Sequence, residues 1–207
     1  MTTGSGNDAI AMATTLNADD TIVAGTGAET ITGGTGTDTI TVDTTSVTTI
    51  TDFTGGAGND IIDGNAGDDT IATGAGDDVI HFDATSDGND TITDFTSGTD
   101  IMDFDGILDG VTKVFEAEAD DSVGTSITTD ANVIAVGGAV SIADAATFIA
   151  ADNDVNGTVG LIIVDDGSHS YVYHSSNLGT NGTETLLATL TGVTAAEAMV
   201  TGDFIFA

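Results

Sequence analysis

Aspartates recur at a fixed spacing in the stretch from Gly55 to His81 of this 207-residue chain. Three consecutive nine-residue units, GGAGNDIID, GNAGDDTIA and TGAGDDVIH, each place Gly at the fourth position, Asp at the sixth and Ile at the eighth. The carboxylates are those of Asp60, Asp69 and Asp78. A carboxylate beside the backbone carbonyls of a tight turn offers only hard oxygen ligands, which Ca²⁺ prefers. The spacing therefore predicts a series of calcium-binding turns.

The nine-residue period also defines the element that must carry these carboxylates. Such a unit is too short for a helical hairpin, but it fits one turn and one short strand. Glycine at the turn permits backbone conformations that other residues rarely adopt. The Ile of each unit would point inward and stack on the Ile of the neighbouring coils. The sequence thus predicts a β-solenoid.

The same pattern continues on both sides of the central units. Gly33–Thr41, with the sequence GGTGTDTIT, fits at every position, and Thr3–Ala11 forms another unit. The pattern G-G-x-G-x-D-x-U-x resembles that of the RTX family, which are secreted calcium-binding repeat proteins. The resemblance implies a mainly β fold: a right-handed parallel β-roll over residues 1–105 that binds several Ca²⁺ ions. A small α+β domain would follow over residues 106–207.

In a two-sheet roll, alternate units lie on opposite sheets, so that each ion would lie between units two apart along the chain. One edge would align Asp20, Asp38, Asp60, Asp78 and Asp100, and the other Asp8, Glu29, Thr48, Asp69 and Asp90. The predicted metal-site residues are Asp8, Asp20, Asp38, Asp60, Asp69, Asp78, Asp90 and Asp100, with the turn glycines Gly36, Gly58, Gly67 and Gly76. The strongest sites are expected between Asp38 and Asp60, Asp60 and Asp78, and Asp69 and Asp90. The second edge is expected to be weaker at Glu29 and Thr48, which replace Asp.

The same register predicts two inward columns of apolar side chains. One column would stack Ile22, Ile40, Ile62, Ile80 and Met102, and the other Ile10, Ile31, Ile50, Ile71 and Ile92. The segment around Phe95 and Phe104 is similar to the one that closes the roll in secreted serralysin-type proteases. That resemblance implies that these two rings cover the last coil.

Composition restricts the partners and the compartment. The chain has one basic residue against 34 acidic ones, a formal charge of −33, so nucleic acid and anionic membrane surfaces are poor partners. It has no Cys, so a disulfide cannot stabilise it, and calcium is the expected substitute. No apolar run approaches the roughly 20 residues of a membrane span. Met1–Ile10 lacks the basic and apolar regions of a secretory signal peptide and passes directly into a repeat.

From about Gly106 the nonapeptide pattern stops. Capping boxes at Ser141–Asp144 and Thr194–Glu197 predict two helices, and strands are expected at Val159–Val164, His169–His174 and Glu184–Leu190. This half resembles the C-terminal domains of proteins exported by type I secretion, including S-layer proteins. The final residues, Asp203–Ala207, are an acidic residue before an apolar tail, as in many substrates of that machinery. The resemblance implies export to the cell surface or beyond it.

The sequence contains none of the common motifs of catalysis. The chain lacks H-E-x-x-H, G-x-S-x-G, a Cys nucleophile and a phosphate loop with its Lys, so we expect no enzyme activity, no catalytic residue and no organic cofactor. The serralysin-like segment therefore does not imply a protease.

The leading hypothesis is a calcium-loaded structural protein that assembles into an extracellular layer or filament. The partner would be the chain itself, joined head to tail at the first coil near Asp8 and Asp20. The type I secretion machinery and cell-surface polysaccharide are further expected partners. The alternatives are an adhesin or other interaction module, the export tail of a larger protein, and an ice-binding protein. The last rests on predicted outward threonine pairs: Thr30/Thr32, Thr49/Thr51, Thr70 beside Ala72, and Thr91/Thr93.

Overall fold

The computed structural model describes eleven parts of the chain: residues 1–3, 5–12, 19–25, 27, 29–42, 51–108, 115–118, 133–136, 159–176, 184–194 and 199–205. Sixteen strands and one 3₁₀ turn make up the regular structure of these residues. The mainly β class is therefore confirmed. No helix within these parts is long and apolar enough to span a membrane.

Ten short strands form the repeat region. They are β1 (Ala9–Ala11), β2 (Thr21–Ala24), β3 (Thr30–Thr35), β4 (Thr39–Val42), β5 (Asp52–Ala57), β6 (Ile61–Asp63), β7 (Thr70–Ala75), β8 (Val79–His81), β9 (Asp90–Ile92) and β10 (Ile101–Asp103). Six more follow: β11 (Phe115–Glu118), β12 (Val133–Val136), β13 (Gly160–Asp165), β14 (His169–Ser175), β15 (Glu184–Thr191) and β16 (Phe204–Ile205), the last directly after the 3₁₀ turn Thr201–Asp203.

The strands of the repeats alternate between two sheets. Among β1–β10, the even-numbered strands lie in one sheet, with the order β16-β10-β8-β6-β4-β2, and the odd-numbered strands begin the other, β1-β3-β5-β7-β9-β15-β14-β13-β12-β11. All pairings between strands of the repeats are parallel. The predicted parallel β-roll with alternate units on opposite sheets is confirmed.

The predicted inward column of the first sheet is confirmed. Ile22 pairs with Ile40, Ile40 with Ile62, Ile62 with Ile80, and Ile80 with Met102. All five side chains are fully buried. Because each apolar residue lies directly on the next, the column forms a continuous core along the roll.

The second column differs from the prediction at one coil. Ile10 pairs with Ile31 and Ile71 with Ile92 as expected, but Phe53 lies between Ile31 and Ile71. The prediction of Ile50 in this column is therefore wrong by three residues. The physical reason is that this unit has lost its Gly-Asp turn, so that no local signal fixes the register, and burial of the larger Phe53 ring decides it. Ile50 and Thr48 themselves are outside the described residues.

The C-terminal half extends both sheets of the roll. β15 adds in parallel to β9, with Thr189 beside Thr91, and β16 adds in parallel to β10, with Phe204 beside Met102. β13 and β14 form the predicted antiparallel hairpin. The two predicted helices fall mainly outside the described residues, and a domain boundary at 105/106 stays a prediction.

Three stacked rings join the last coil to the chain end. Phe104 lies 4.9 Å from Phe82 and 6.5 Å from Phe204 between ring centroids. Phe95 is buried in the same apolar cluster. The expected covering of the last coil by Phe95 and Phe104 is thus seen, with Phe204 as an additional member.

Candidate metal centre

The aspartates of the repeats form two ladders that join coils two units apart. The backbone N–H of Asp38 donates to Oδ1 of Asp60 at 2.8 Å, and that of Asp60 donates to Oδ1 of Asp78 at 2.8 Å. The same bond runs from Asp20 to Asp38, from Asp78 to Asp100, from Thr51 to Asp69 and from Asp69 to Asp90. In each of these bonds, Oδ1 of the Asp accepts an N–H group of the coil two units before, so that only Oδ2 is left for other partners.

That second oxygen has no protein partner in four of these residues. Oδ2 of Asp38, Asp60, Asp69 and Asp78 is buried and accepts no hydrogen bond. A buried, unpaired carboxylate oxygen is costly unless a cation or a donor satisfies it. The ladder therefore contains a series of unsatisfied negative groups at a regular spacing.

Backbone carbonyl oxygens lie near the same unpaired Oδ2 atoms. A methyl group at Gly55 would lie 2.6 Å from Oδ2 of Asp60 and would overlap the carbonyl oxygen of Thr73. A methyl group at Gly33 would similarly lie 2.7 Å from Oδ2 of Asp38 and would overlap the carbonyl oxygen of Gly55. A carboxylate oxygen and a carbonyl oxygen of the coil two units on thus both lie close to the same glycine.

This donor set fits Ca²⁺, which takes six to eight oxygen ligands from carboxylates, carbonyls and water. Within the described parts of the chain, no three acidic, His or Cys side chains group together as a metal site by side chains alone. Carboxylates are supplied here by neighbouring coils, and turn carbonyls must complete the coordination. Asp38, Asp60, Asp69 and Asp78 are the side chains best placed to hold the ion.

The turn glycines are required by close contact between coils. Gly36, Gly58, Gly67 and Gly76 all have positive φ, from 129° to 153°. A Cβ on Gly58 would overlap the carbonyl oxygen of Gly36, and one on Gly76 would overlap that of Gly58. The predicted contribution of these glycines is therefore to the backbone geometry that turns carbonyls toward the ion.

Substitution of Gly58 by Ala is expected to destabilise the calcium-loaded protein by more than about 1 kcal/mol, because it adds steric overlap to backbone strain. The matched control is Gly98→Ala: Gly98 also has positive φ, 84°, but has open space where the Cβ would go. Thermal unfolding in excess calcium measures both. Equal losses of stability would show that contact between coils at Gly58 is not important.

Burial raises the pKa of the ladder carboxylates. The pKa of Asp69 rises to about 7, that of Asp78 to about 6 and that of Asp90 to about 8, first because burial removes water and secondarily because neighbouring carboxylates repel. Burial also raises the pKa of Glu29, Asp38, Asp60 and Asp100. Hydrogen bonds from backbone N–H groups oppose these shifts but do not cancel them. The metal-free fold therefore favours protonated carboxylates.

The pH dependence of the metal-free protein follows from these shifts. The folded state binds more protons than the unfolded state between the unfolded pKa, about 4, and the raised values, so its stability falls as pH rises through that window. In chelator, β-structure is expected to increase between about pH 8 and about pH 5.5. Circular dichroism at the two values measures it. A loss of β-structure on acidification would contradict the burial of these groups.

The remaining predicted ligands lie at the ends of the ladders. Asp8 and Asp20 are partly exposed in the first coils. Asp90 and Asp100 are buried, and Oδ2 of Asp100 accepts the N–H of Thr96 at 2.7 Å. Thr51, not Thr48, occupies the position between Glu29 and Asp69, and its buried hydroxyl has no partner. Ion binding at each of these residues stays a prediction.

Two aspartates that the sequence reasoning did not select close the roll. Oδ1 and Oδ2 of Asp94 accept the N–H groups of Thr73 and Gly74, at 2.8 and 3.0 Å. Asp203, fully buried, accepts the N–H of Gly98 and the hydroxyl of Ser97, at 2.7 and 2.8 Å. Neither stands in a nonapeptide unit, so the period gave no signal for them.

Comparison with known proteins agrees with this site. Residues 14–44 and 54–92 match the family described as RTX calcium-binding nonapeptide repeat (4 copies). Residues 14–44 and 54–92 are therefore RTX-type calcium-binding repeats, and the metal of the β-roll is Ca²⁺. No curated protein matches it.

One solved structure that matches this chain over most of its length is the solution structure of the AlgE6R3 subunit from the Azotobacter vinelandii mannuronan C5-epimerase. It is 20% identical, with a TM-score of 0.42, and the match covers 98% of this chain and 80% of that one.

Proposed function

We propose that this protein is a secreted structural protein that folds on meeting external calcium and assembles into an extracellular layer or filament. The observation that carries the proposal is the pair of carboxylate ladders with unpaired, buried Oδ2 atoms. At a formal charge of −33, self-repulsion opposes the compact state unless cations bind. Low calcium inside the cell would keep the chain unfolded for type I export, and high calcium outside would fold it. The proposal assigns it no enzymatic activity.

The partner in assembly is a second copy of the chain, added at the edge of β1. The N–H of Met12 and the carbonyl of Asp8 bond to β3, so by alternation the N–H and carbonyl groups of Ala9 and Ala11 point to the opposite side. Among the described residues no strand pairs with that side. β11, at the other end of the same sheet, runs in the same direction, because it is separated from β1 by parallel pairings and two antiparallel ones. Parallel addition of β1 to β11 of the next copy would continue the sheet.

Substitution of Ala11 by Pro is expected to abolish calcium-dependent assembly without unfolding the roll, because it removes an outward N–H and no bond to β3. Ala11→Ser, which keeps the N–H, is the control. Light scattering and negative-stain microscopy in calcium measure assembly, and circular dichroism measures folding. If the Pro variant forms the same particles as the parent, the joint is elsewhere; if the parent stays monomeric in calcium, assembly itself is refuted.

The extreme C-terminus would combine two roles under this proposal. Phe204 is fully buried and Asp203 holds the loop at Gly98, so these residues belong to the folded roll. A type I signal at this end would therefore be accessible only before folding. A truncation from Phe204 would also remove packing from the roll, so it is expected to weaken calcium-induced folding as well as export.

If the calcium-loaded chain stays monomeric, two alternatives remain. One is an adhesin or interaction module that binds surface polysaccharide, and the other is the export tail of a larger protein. Such a module would use the same calcium-dependent folding but would present a side of the roll to a different partner. Gel filtration with and without calcium separates the two.

Ice binding is a second candidate because outward threonines do align across β7, β9 and β15 of the ten-stranded sheet. Thr70 pairs with Thr91 and Thr91 with Thr189. The predicted Thr49/Thr51 pair is wrong, however: Thr51 is buried, and Asp52 and Thr54 occupy the outward positions of that coil. The array is thus interrupted by a charge, which favours the structural hypothesis. Thermal hysteresis and ice-crystal shaping would decide for ice binding, and absence of both removes it.

A further inference from the structure

We propose that a strip of side chains on the outer face of the ten-stranded sheet binds a neutral polysaccharide. The strip crosses β14, β15, β9 and β7 through Tyr171, Thr189, Thr91 and Thr70, and Asp166 lies at its β14 end. The inference goes beyond the proposed assembly, which uses the edges of β1 and β11, and it gives the expected polysaccharide partner a site and a chemical class.

The strip is continuous because its residues lie opposite one another in the sheet. Tyr171 pairs with Thr189, Thr189 with Thr91, and Thr91 with Thr70, and paired residues point to the same face. All four are partly exposed, whereas the residues before and after each of them are buried. Neighbouring strands are about 4.8 Å apart, so the strip is about 14 Å long.

The ring of Tyr171 is held in place by Asp166 in the β13–β14 turn. Its hydroxyl donates to Oδ2 of Asp166 at 2.8 Å, while the N–H groups of Ser168 and His169 donate to Oδ1 at 2.8 and 2.9 Å. The hydrogen bond from Tyr171 is the main reason that the pKa of Asp166 is lowered, so the carboxylate is ionised at neutral pH. The ring is therefore oriented before a ligand arrives, which reduces the entropy lost on binding.

The polar groups of the strip present hydrogen-bond acceptors. The hydroxyl of Thr189 donates to Oδ1 of Asn89 at 3.3 Å, and that of Thr191, on the same face, donates to the carbonyl of Ile92 at 2.9 Å. The Tyr171 hydroxyl likewise gives its hydrogen to Asp166. Each hydroxyl therefore has only its lone pairs left for a ligand, which must supply the donors.

These acceptors and the tyrosine ring together define the ligand. With one basic residue against 34 acidic ones, the chain repels phosphate, sulfate and carboxylate groups. The large exposed hydrophobic residues of the described parts all lie outside these four strands, so the strip is not an apolar patch for a protein partner. A sugar ring can lay its C–H face on the ring of Tyr171 and donate its hydroxyls to the acceptors beside it. A neutral polysaccharide meets all of these requirements.

Affinity electrophoresis of the full chain in calcium tests the inference. Gels that contain hydroxyethyl cellulose, galactomannan or dextran supply neutral polysaccharides, and carboxymethyl cellulose supplies an anionic chain. We expect retardation by at least one neutral polysaccharide and none by carboxymethyl cellulose. Tyr171→Ala is expected to weaken that binding by about tenfold or more, because it removes the central aromatic contact. Thr30→Ala, at an outward position on β3 outside the strip, is the control and should bind like the parent.

Three results would overturn the inference: no retardation by any of the neutral polysaccharides, retardation by carboxymethyl cellulose alone, or equal binding by Tyr171→Ala and the parent. Each of them leaves the proposed assembly standing, because light scattering measures assembly separately. A parent that binds a neutral polysaccharide but stays monomeric in calcium would instead refute assembly and leave the strip in place.

A second measurement uses the parent alone and so does not depend on the folding of a variant. The chain has two tyrosines and no tryptophan, and Tyr171 and Tyr173 lie on the same face of β14. Its intrinsic fluorescence therefore reports on this part of the sheet. Titration with the polysaccharide that retards the protein should change the tyrosine emission. Unchanged emission at saturation would place the binding elsewhere and overturn the inference.

Discussion

Removal of calcium is expected to unfold the repeat region, residues 1–105. In chelator near neutral pH, the ladder carboxylates lose the cations that neutralise them, so that folding must either bury their charge or protonate them. The glycine-rich turns also gain conformational entropy on unfolding. Folding and binding are linked, because the unfolded chain has no preformed site. Calcium at about millimolar concentration, the range of extracellular modules, should restore β-structure.

Far-ultraviolet circular dichroism during a calcium titration measures this transition. Magnesium at the same concentration is the control, since it requires smaller, near-octahedral sites and retains its water. A spectrum that does not change between chelator and calcium would contradict calcium-driven folding.

Substitution of Asp78 by Ala is expected to raise the calcium concentration at the midpoint of folding by about tenfold or more. The change removes an unpaired Oδ2 and the 2.8 Å bond that Oδ1 accepts from the N–H of Asp60. A hydrogen bond to a charged group contributes about 1.5–3 kcal/mol, and a factor of ten corresponds to about 1.4 kcal/mol. The neighbouring carboxylates also lose some of the electrostatic screening that the bound ion provides.

Asp52→Ala is the matched control, because Asp52 is exposed on an outward position of β5. Its midpoint is expected to stay close to that of the parent. Equal shifts for the two variants would show that the midpoint reports total charge rather than ligation by the ladder.

The sequence predicted the roll well wherever the nine-residue period is intact. From Gly55 to Ile80 the spacing of Asp and Ile fixes both the turn and the inward residue, and the observed pairing of Ile62 with Ile80 follows. It failed between Val42 and Phe53, where no Gly-Asp turn marks the phase. There the distance from Ile31 to the next inward residue depends on which apolar side chain is buried, and Phe53 takes that place.

The closing of the roll could not be predicted for a different reason. β15 adds to β9 although 98 residues separate Asp90 from Ala188, and Asp203 bonds to a loop 105 residues earlier. Such contacts depend on tertiary packing and leave no trace in a local period. The carboxylate ladder was predictable as an alignment of aspartates, but the use of Oδ1 for an N–H of the neighbouring coil was not.

The central claim is that the unpaired carboxylate oxygens of the two ladders bind calcium. An anomalous diffraction map from calcium-loaded crystals tests it most directly. We predict one row of peaks beside Oδ2 of Asp38, Asp60 and Asp78, and peaks on the opposite edge beside Asp69. A map in which these carboxylates are ordered, but no ion lies between the turns, would contradict the claim.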